Sequence, residues 1–242
     1  MHIRVVNPNT TESMTTLIEE SARAVTGPGT TLDAVTSTMG PASIESHYDE
    51  ALAVPGVLAA VDAGERAGVD GYVLACFGDP GLDAAREVAS GPVVGIAEAA
   101  MHAATMIGRA FSVITTLSRT RGRAHDLAVR YAPAGACRGV HACDIPVLAL
   151  DGDPAVLPRV VALARAALDR DCSDVIVLGC AGMADLAAAA EAELGVPVID
   201  GVAAATVLVQ SLVTLRLRTS RRDEYARPPV KPYSGVLAAF AR

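Results

Sequence analysis

Two stretches decide the fold of this chain: Tyr72-Val73-Leu74-Ala75-Cys76 and Ile176-Val177-Leu178-Gly179-Cys180. Each is a short run of strand-forming residues that ends in a cysteine, and the two cysteines stand 104 residues apart. The likeness extends outward in both directions. A glycine-bearing turn follows each cysteine (Gly78, Gly182), then an alanine-rich helical stretch. Next comes Gly91-Pro92-Val93 in one half and Val196-Pro197-Val198 in the other, followed by Gly95-Ile96-Ala97 and Gly201-Val202-Ala203. Upstream, Val5-Val6-Asn7 matches Val113-Ile114-Thr115. A shared βα rhythm explains matching strands, but it does not place a cysteine at the same point in both halves. The chain therefore reads as an internal duplication.

Strands are expected at 3–6, 31–35, 71–75, 93–96, 112–114, 139–142, 175–178 and 198–199. Helices are expected near 13–25, 57–67, 81–89 and 202–217. Strand and helix in alternation mean parallel sheets with crossover helices. The first lobe is expected to run over 1–97 and to be completed by 202–242, with 98–201 as the second lobe. The tail beyond 219, with its Pro228-Pro229 and Pro232-Tyr233 pairs, is expected to be extended and to clasp a neighbour.

Composition narrows the function classes. The chain has 242 residues, 51% of them hydrophobic and only 3% aromatic, so Ala, Val, Leu and Gly must fill a sizeable core. Twenty Lys and Arg against 27 Asp and Glu give a net charge of −7, which leaves no electrostatic footprint for nucleic acid. The basic clusters at 119–123 and 216–222 read as solvated surface. No apolar run approaches the ~18 residues of a membrane span, and the first ten residues do not form a signal sequence. A cytoplasmic protein with reduced thiols is expected. Five cysteines with no Cys-x-x-Cys pair suggest neither a zinc ribbon nor a disulfide framework. No GxGxxG, phosphate-binding loop or paired-histidine metal motif occurs.

In open parallel sheets, ligands bind beyond the carboxyl ends of the strands. Cys76 and Cys180 are expected there, each at the last residue of a strand and just before a helix. Two facing lobes would aim both thiols into one cleft. That suits inversion of a carbon acid: one thiolate removes a proton from one face and the other thiol returns a proton to the opposite face. A helix N-terminus is expected to lower each thiol pKa, and the turns at Gly78 and Gly182 expose backbone amides able to hold an enolate oxygen. Cys137, Cys143 and Cys172 have no matched partners and read as structural.

Several stretches carry a family resemblance. They are Val6-Asn7-Pro8-Asn9-Thr10, Gly40-Pro41-Ala42-Ser43-Ile44-Glu45, Ala75-Cys76-Phe77-Gly78-Asp79-Pro80-Gly81, Ser112-Val113-Ile114-Thr115-Thr116-Leu117 and Leu178-Gly179-Cys180-Ala181-Gly182-Met183. Over nearly its whole length, to about residue 219, the chain resembles the aspartate/glutamate racemase superfamily, and within it the hydantoin and allantoin racemases. Amino-acid racemases of this superfamily usually carry Asp-Ser at the first strand end and Cys-Asn-Thr at the first cysteine. Here those positions read Asn-Pro-Asn and Cys-Phe-Gly.

The resemblance implies two pseudo-symmetric flavodoxin-like α/β lobes, each a four-stranded parallel sheet flanked by helices, with the active site between them. It also implies a homo-oligomer, a small-molecule substrate, no metal and no pyridoxal phosphate. The implied reaction is cofactor-independent inversion at C5 of 5-substituted hydantoins, with allantoin the natural candidate. Catalysis would fall to Cys76 and Cys180. A neutral ring would be held by Asn9, Thr115 and Thr116, and by the backbone around Phe77, Gly78, Ala181 and Gly182, since no Lys or Arg is evident near these motifs.

Other readings stay open. Asn-Pro-Asn-Thr is equally a turn with a helix cap, and Thr115–Thr116 equally caps a helix. Ser43, Ile44, Glu45 and Tyr48 either line the pocket for the C5 substituent or form a surface loop. His102, Glu98 and Asp200 have no assigned role, although Asp200 is placed to cap the helix that follows it. Rival functions are an amino-acid racemase, a maleate-type isomerase working by thiolate addition, and a non-catalytic two-lobed binding protein.

Overall fold

The computed structural model describes residues 1–241. The chain runs β1 (His2–Asn7), α1 (Glu12–Ala24), β2 (Thr31–Thr36), α2 (His47–Arg66), β3 (Gly71–Leu74), α3 (Leu82–Val88), β4 (Val93–Gly95) and α4 (Ile96–Ile107). It then repeats the pattern: β5 (Phe111–Thr115), α5 (Arg121–Tyr131), β6 (Cys137–Ala142), α6 (Val156–Asp171), β7 (Val175–Leu178), α7 (Ala187–Leu194), β8 (Val198–Ile199) and α8 (Gly201–Thr214). The strands form two four-stranded sheets in the orders β2-β1-β3-β4 and β6-β5-β7-β8, with every pairing parallel. In both, the chain winds outward from the first strand and returns on its other side. This puts a switch point between β1 and β3, and another between β5 and β7, where loops diverge and a ligand can enter.

The strands are apolar on both faces because both faces are covered. Alternate residues of β1 and β3 point to opposite sides. Val5 and Val73 enter a central core, while Val6, Tyr72 and Leu74 enter an outer core against α2 and α3. The second sheet repeats this: Val113 and Val177 face the centre, and Ile114, Ile176 and Leu178 face α6 and α7. The central core joins residues of both sheets. Helix α4 leaves the first sheet and packs on β7 and β8, α8 leaves the second sheet and packs on β1, β3 and β4, and α4 and α8 pack on each other.

The second helix differs from the sequence expectation. It starts at His47, ten residues before the expected Val57, and keeps Pro55 inside it. An interior proline costs roughly 3 kcal/mol of helix stability. Ser46 offsets part of this by accepting the Asp49 amide at the N-cap (3.2 Å). Tertiary fit does the rest. A side chain on the next residue, Gly56, would lie 2.0 Å from Ser37 Oγ and 2.5 Å from Met39 O, so the bare helix backbone fits against the Ser37 side chain and the Met39 carbonyl.

The tail clasps its own chain at residues 221–225. Arg221 donates to the carbonyls of Arg86, Glu87 and Ala89 at the end of α3, and Tyr225 Oη donates to Asp83 Oδ1 (3.0 Å). Last-turn carbonyls have no partner within their own helix, and a guanidinium supplies one. No helix among the described residues is long and apolar enough to cross a membrane.

Candidate active site

The cysteine loops differ from the expectation in one geometric detail. The ladders end at Leu74 and Leu178, so Cys76 and Cys180 stand two residues beyond the strands, not on their last residues. Cys76 opens a turn that reaches α3 only at Leu82, whereas Cys180 leads directly into a 3-10 turn over Ala181–Leu186. In both halves the amide of the glycine two positions on, Gly78 or Gly182, is directed at the thiol and favours its ionised form. That match, between loops of different shape, is the clearest sign of a duplicated site.

Burial dominates the ionisation of both thiols. Burial pushes Cys180 up to about 11, and the negative charges of Cys143 and Glu45 push the same way. Burial pushes Cys76 higher still, aided by charge on Cys180, Glu50 and Asp79. The expected lowering of both thiol pKa values is therefore overturned. The amide pointing at each sulfur opposes desolvation without cancelling it. The influence of Cys180 on Cys76 places both thiols in one electrostatic neighbourhood, where ionising one disfavours ionising the other.

Loops from both halves close around them. Asn9 is buried, and its Oδ1 accepts from Asn7 Nδ2 (3.0 Å) and from the Thr11 amide (2.9 Å). The asparagine carbonyl thus holds the turn and the start of α1, while Asn9 Nδ2 faces only Met14 Sδ (3.3 Å), a weak acceptor. Met14 Cε in turn lies 3.6 Å from where a side chain on Gly182 would begin, so this part of the first half borders the Cys180 loop. Thr115 and Thr116 are buried. Thr115 Oγ1 meets Thr120 Oγ1 (3.2 Å) and donates to Gly179 O (3.4 Å), next to Cys180. Phe77 and Ala181 both sit in the central core that joins the lobes. Ile44 is half-buried on a loop held to the second half through its neighbour, since Glu45 Oε1 accepts the Val147 amide (2.7 Å).

Tyr48 does not line this cleft. Its side chain is 73% exposed and borders a separate cavity of about 1060 Å³ between α2 and the C-terminal residues. His102 stands edge-on to Tyr131, with ring centroids 6.1 Å apart. Glu98 pairs with Arg86 (2.6 Å). Asp200 is the N-cap of α8, its carboxylate accepting the amides of Val202 (2.8 Å) and Ala203 (3.1 Å). Of the remaining cysteines, Cys143 is buried beside Cys180, Cys137 is half-buried and Cys172 is exposed.

Three residues at the site, Arg123, Glu50 and Asp79, are not expected there from the sequence, whereas Glu45 is a candidate and its observed partner is the Val147 amide. An arginine does reach the cleft, against the sequence expectation: Arg123, from α5, donates to Gly78 O (2.6 and 3.2 Å) and pairs with Glu50 on α2 (3.4 Å). Glu50 lies over the Cys76 loop, 2.6 Å from where a side chain on Gly78 would begin, and burial raises its pKa. Nothing in the linear sequence joins residues 50, 78 and 123. Glu45 and Asp79 sit inside motifs already singled out, yet their contacts are long-range. Among the described residues, no three His, Cys, Asp or Glu side chains converge as a metal-binding group.

Two wound α/β lobes each bring a cysteine to the switch-point end of the sheet, and together they frame a candidate active site. The model of the Asp/Glu/Hydantoin racemase family matches residues 3–209, and the chain belongs to that family. It is 48% identical over 239 residues to a hydantoin racemase of Rhizobium meliloti, covering 97% of this chain and 98% of that protein. It is 44% identical over 243 residues to a hydantoin racemase of Pseudomonas sp. (strain NS671), covering 100% and 98%. Among solved structures, an allantoin racemase from Klebsiella pneumoniae superposes with a TM-score of 0.97 at 50% identity, covering 100% of this chain and 99% of that one. The chain is accordingly an isomerase of the racemase type.

Proposed function

We propose that the chain racemises 5-substituted hydantoins at C5 through the thiol pair Cys76 and Cys180, with allantoin the favoured natural substrate. The observation that carries this reading is the pairing of the two thiols: equivalent positions in the two halves, each faced by the amide two residues on, with charge on Cys180 felt at Cys76. The substrate class is supported by the hydantoin racemases and the allantoin racemase to which the chain is similar.

The chemistry balances with the side chains alone. One cysteine, as thiolate, takes the C5 proton, and the electron pair moves into the adjacent ring carbonyl as an enolate. The other cysteine, as thiol, delivers a proton to the opposite face of C5 and is left as the thiolate. The opposite enantiomer runs the same steps with roles exchanged, which is the work a pseudo-symmetric site does well. Because burial raises both thiols, the reactive form with one thiolate and one thiol is a minor species near neutrality that grows with pH, and charge on the first thiolate disfavours ionising the second, which keeps the second a proton donor. Asn9 Nδ2, with only a sulfur partner, is a free donor for a ring carbonyl, and Thr115 and Thr116 line the opposing loop. Arg123 is engaged with Gly78 O and Glu50, so its charge is not free to demand a carboxylate on the substrate.

The test is polarimetry of optically pure allantoin, 5-benzylhydantoin and L-glutamate with purified protein and no added cofactor, on wild type and on Cys76→Ser and Cys180→Ser. Loss of rotation with the hydantoins, abolished by either substitution, supports the proposal. Activity confined to glutamate, or a double Cys→Ala variant that outpaces buffer, overturns it.

A further inference from the structure

The two halves are not equivalent in how their cysteine loops are anchored, and Asp79 makes the difference. Its amide donates to Cys76 O (2.9 Å) and its carbonyl accepts from Leu82 (3.3 Å), so the segment from Cys76 to Asp79 closes as a tight turn. The residue adopts the left-handed conformation, φ +46°, which is uncommon for a side chain other than glycine. It is only 3% exposed, so its carboxylate needs partners.

Those partners lie on other elements. Asp79 Oδ1 accepts the Ala97 amide (3.2 Å) and Oδ2 the Glu98 amide (3.0 Å), both in the first turn of α4. The Tyr131 hydroxyl, from α5, also faces it. The N-cap of α4 is Gly95, which has no side chain to serve these amides. There is no room for one either: a Cβ on Gly95 would lie 2.2 Å from Asp79 Cγ. The Cys76 loop thus supplies, from outside, the cap that α4 lacks. Because α4 packs on β7, the strand leading to Cys180, this carboxylate ties one thiol's loop to a helix that rests on the other thiol's sheet.

The second half is built differently. Helix α8 is capped by its own N-cap residue, Asp200, which also receives the Ser21 hydroxyl from α1. Among the described residues the Cys180 loop gives no side chain to that cap: its 3-10 turn packs on α1 and α8, but the cap of α8 does not pass through it.

We infer that Asp79 is a positioning residue for Cys76 alone, fixing that thiol against the opposite half and so governing one of the two proton transfers. The inference rests on the two-thiol reading above, and its test is chosen to be separable from it. Groups facing Asp79 are Cys76 on its own loop, Glu98 on α4 with its partner Arg86 on α3, and Tyr131 on α5 beneath Arg130. Removing the carboxylate therefore has two effects on Cys76. It frees the loop, and it takes away a negative charge that disfavours the thiolate.

Both effects make Cys76 more reactive toward a small reagent while making it a poorer catalyst; general loss of structure would unmask both buried thiols, so a rise confined to Cys76 is the discriminating readout. The experiment is iodoacetamide labelling of the full-length protein between pH 7 and 10, with Cys76 and Cys180 quantified separately by peptide mass spectrometry. Racemisation kinetics are run in parallel on wild type, Asp79→Ala, Asp79→Asn and the control Asp200→Ala. Expected for Asp79→Ala is a Cys76 labelling rate raised about tenfold, equivalent to one pKa unit, with Cys180 unchanged. A fall in kcat of about a hundredfold, the scale set by a misplaced reacting group, should accompany it. Asp79→Asn, whose amide oxygen still accepts from α4, should recover most of kcat. Asp200→Ala should lower the melting temperature without altering the ratio of the two labelling rates. Labelling that rises equally at both cysteines, or does not change at Cys76, overturns the inference. If wild type racemises no hydantoin, the proposed function fails, while the labelling contrast still judges the anchoring of Cys76.

Discussion

Raising the pH from 8 to 10 should speed alkylation of Cys180 about a hundredfold. The magnitude follows from burial. With a thiol pushed up to about 11, roughly one molecule in a thousand carries the thiolate at pH 8 and about one in ten at pH 10. Cys76, held higher still by burial and by charge on Cys180, should keep rising where Cys180 begins to level. Access to the cleft scales the absolute rates but not their slope with pH, so the slope isolates ionisation from accessibility. The assay is timed labelling with neutral iodoacetamide, each cysteine followed by peptide mass spectrometry and a small free thiol of ordinary pKa near 8.5 serving as reference. The reference should plateau by about pH 10 while both protein thiols are still climbing. The kcat/KM for racemisation, after subtraction of the buffer rate, should follow the same rising limb, because it reports ionisations of the free enzyme. A plateau at either cysteine by pH 8 would refute the claim that burial outweighs the amides of Gly78 and Gly182.

Three further outcomes follow from particular contacts. Asp200→Ala removes the acceptor for two first-turn amides of α8 and should cost about 1–2 kcal/mol, lowering Tm by several degrees in calorimetry, with kcat little changed. Gly95→Ala drives a methyl into Asp79 Cγ and should cost about 1–3 kcal/mol as an overpacked site; it should also depress kcat, read together from thermal melts and polarimetry. Asp79 itself is pushed up to about 7 by burial, against an ordinary 3.8. The folded state therefore holds this proton more tightly than the unfolded chain. Its carboxylate is a destabilising element above pH 7, an effect that fades as pH falls toward 4. Urea melts of wild type and Asp79→Asn should accordingly differ most in the variant's favour above pH 7 and converge by pH 4, over a span of up to about 4 kcal/mol. A difference that is constant with pH would contradict this.

The duplication made the architecture legible, because strands buried on both faces leave a strong apolar signature and recur with a cysteine at the same point. Both sheets, their parallel sense and the crossover helices follow from that pattern. What the sequence concealed is where long-range packing overrides local preference. Pro55 and Gly56 look like an interruption, yet the helix runs through them because Gly56 fits against Ser37 and Met39. The cysteine pair was visible as a pattern, whereas its ionisation was not. A cysteine before a helix suggests a lowered pKa, but depth of burial is a property of the assembled lobes. Arg123 and Glu50 carry no motif, since the three elements that meet at Gly78 come from both halves. Asp79 was in view within Cys-Phe-Gly-Asp-Pro, but its purpose depends on Gly95, a residue whose missing side chain matters only once the two loops are brought together.

The central claim, inversion between two thiols, is tested most directly by deuterium incorporation. An optically pure 5-substituted hydantoin is incubated with the wild-type protein in D2O, and both enantiomers are recovered at low conversion and analysed for deuterium at C5. Two cysteines on opposite faces predict deuterium in the inverted product and almost none in the recovered starting enantiomer. Equal deuterium in both would contradict the account, because it would mean that a single group exchanges the proton on both faces.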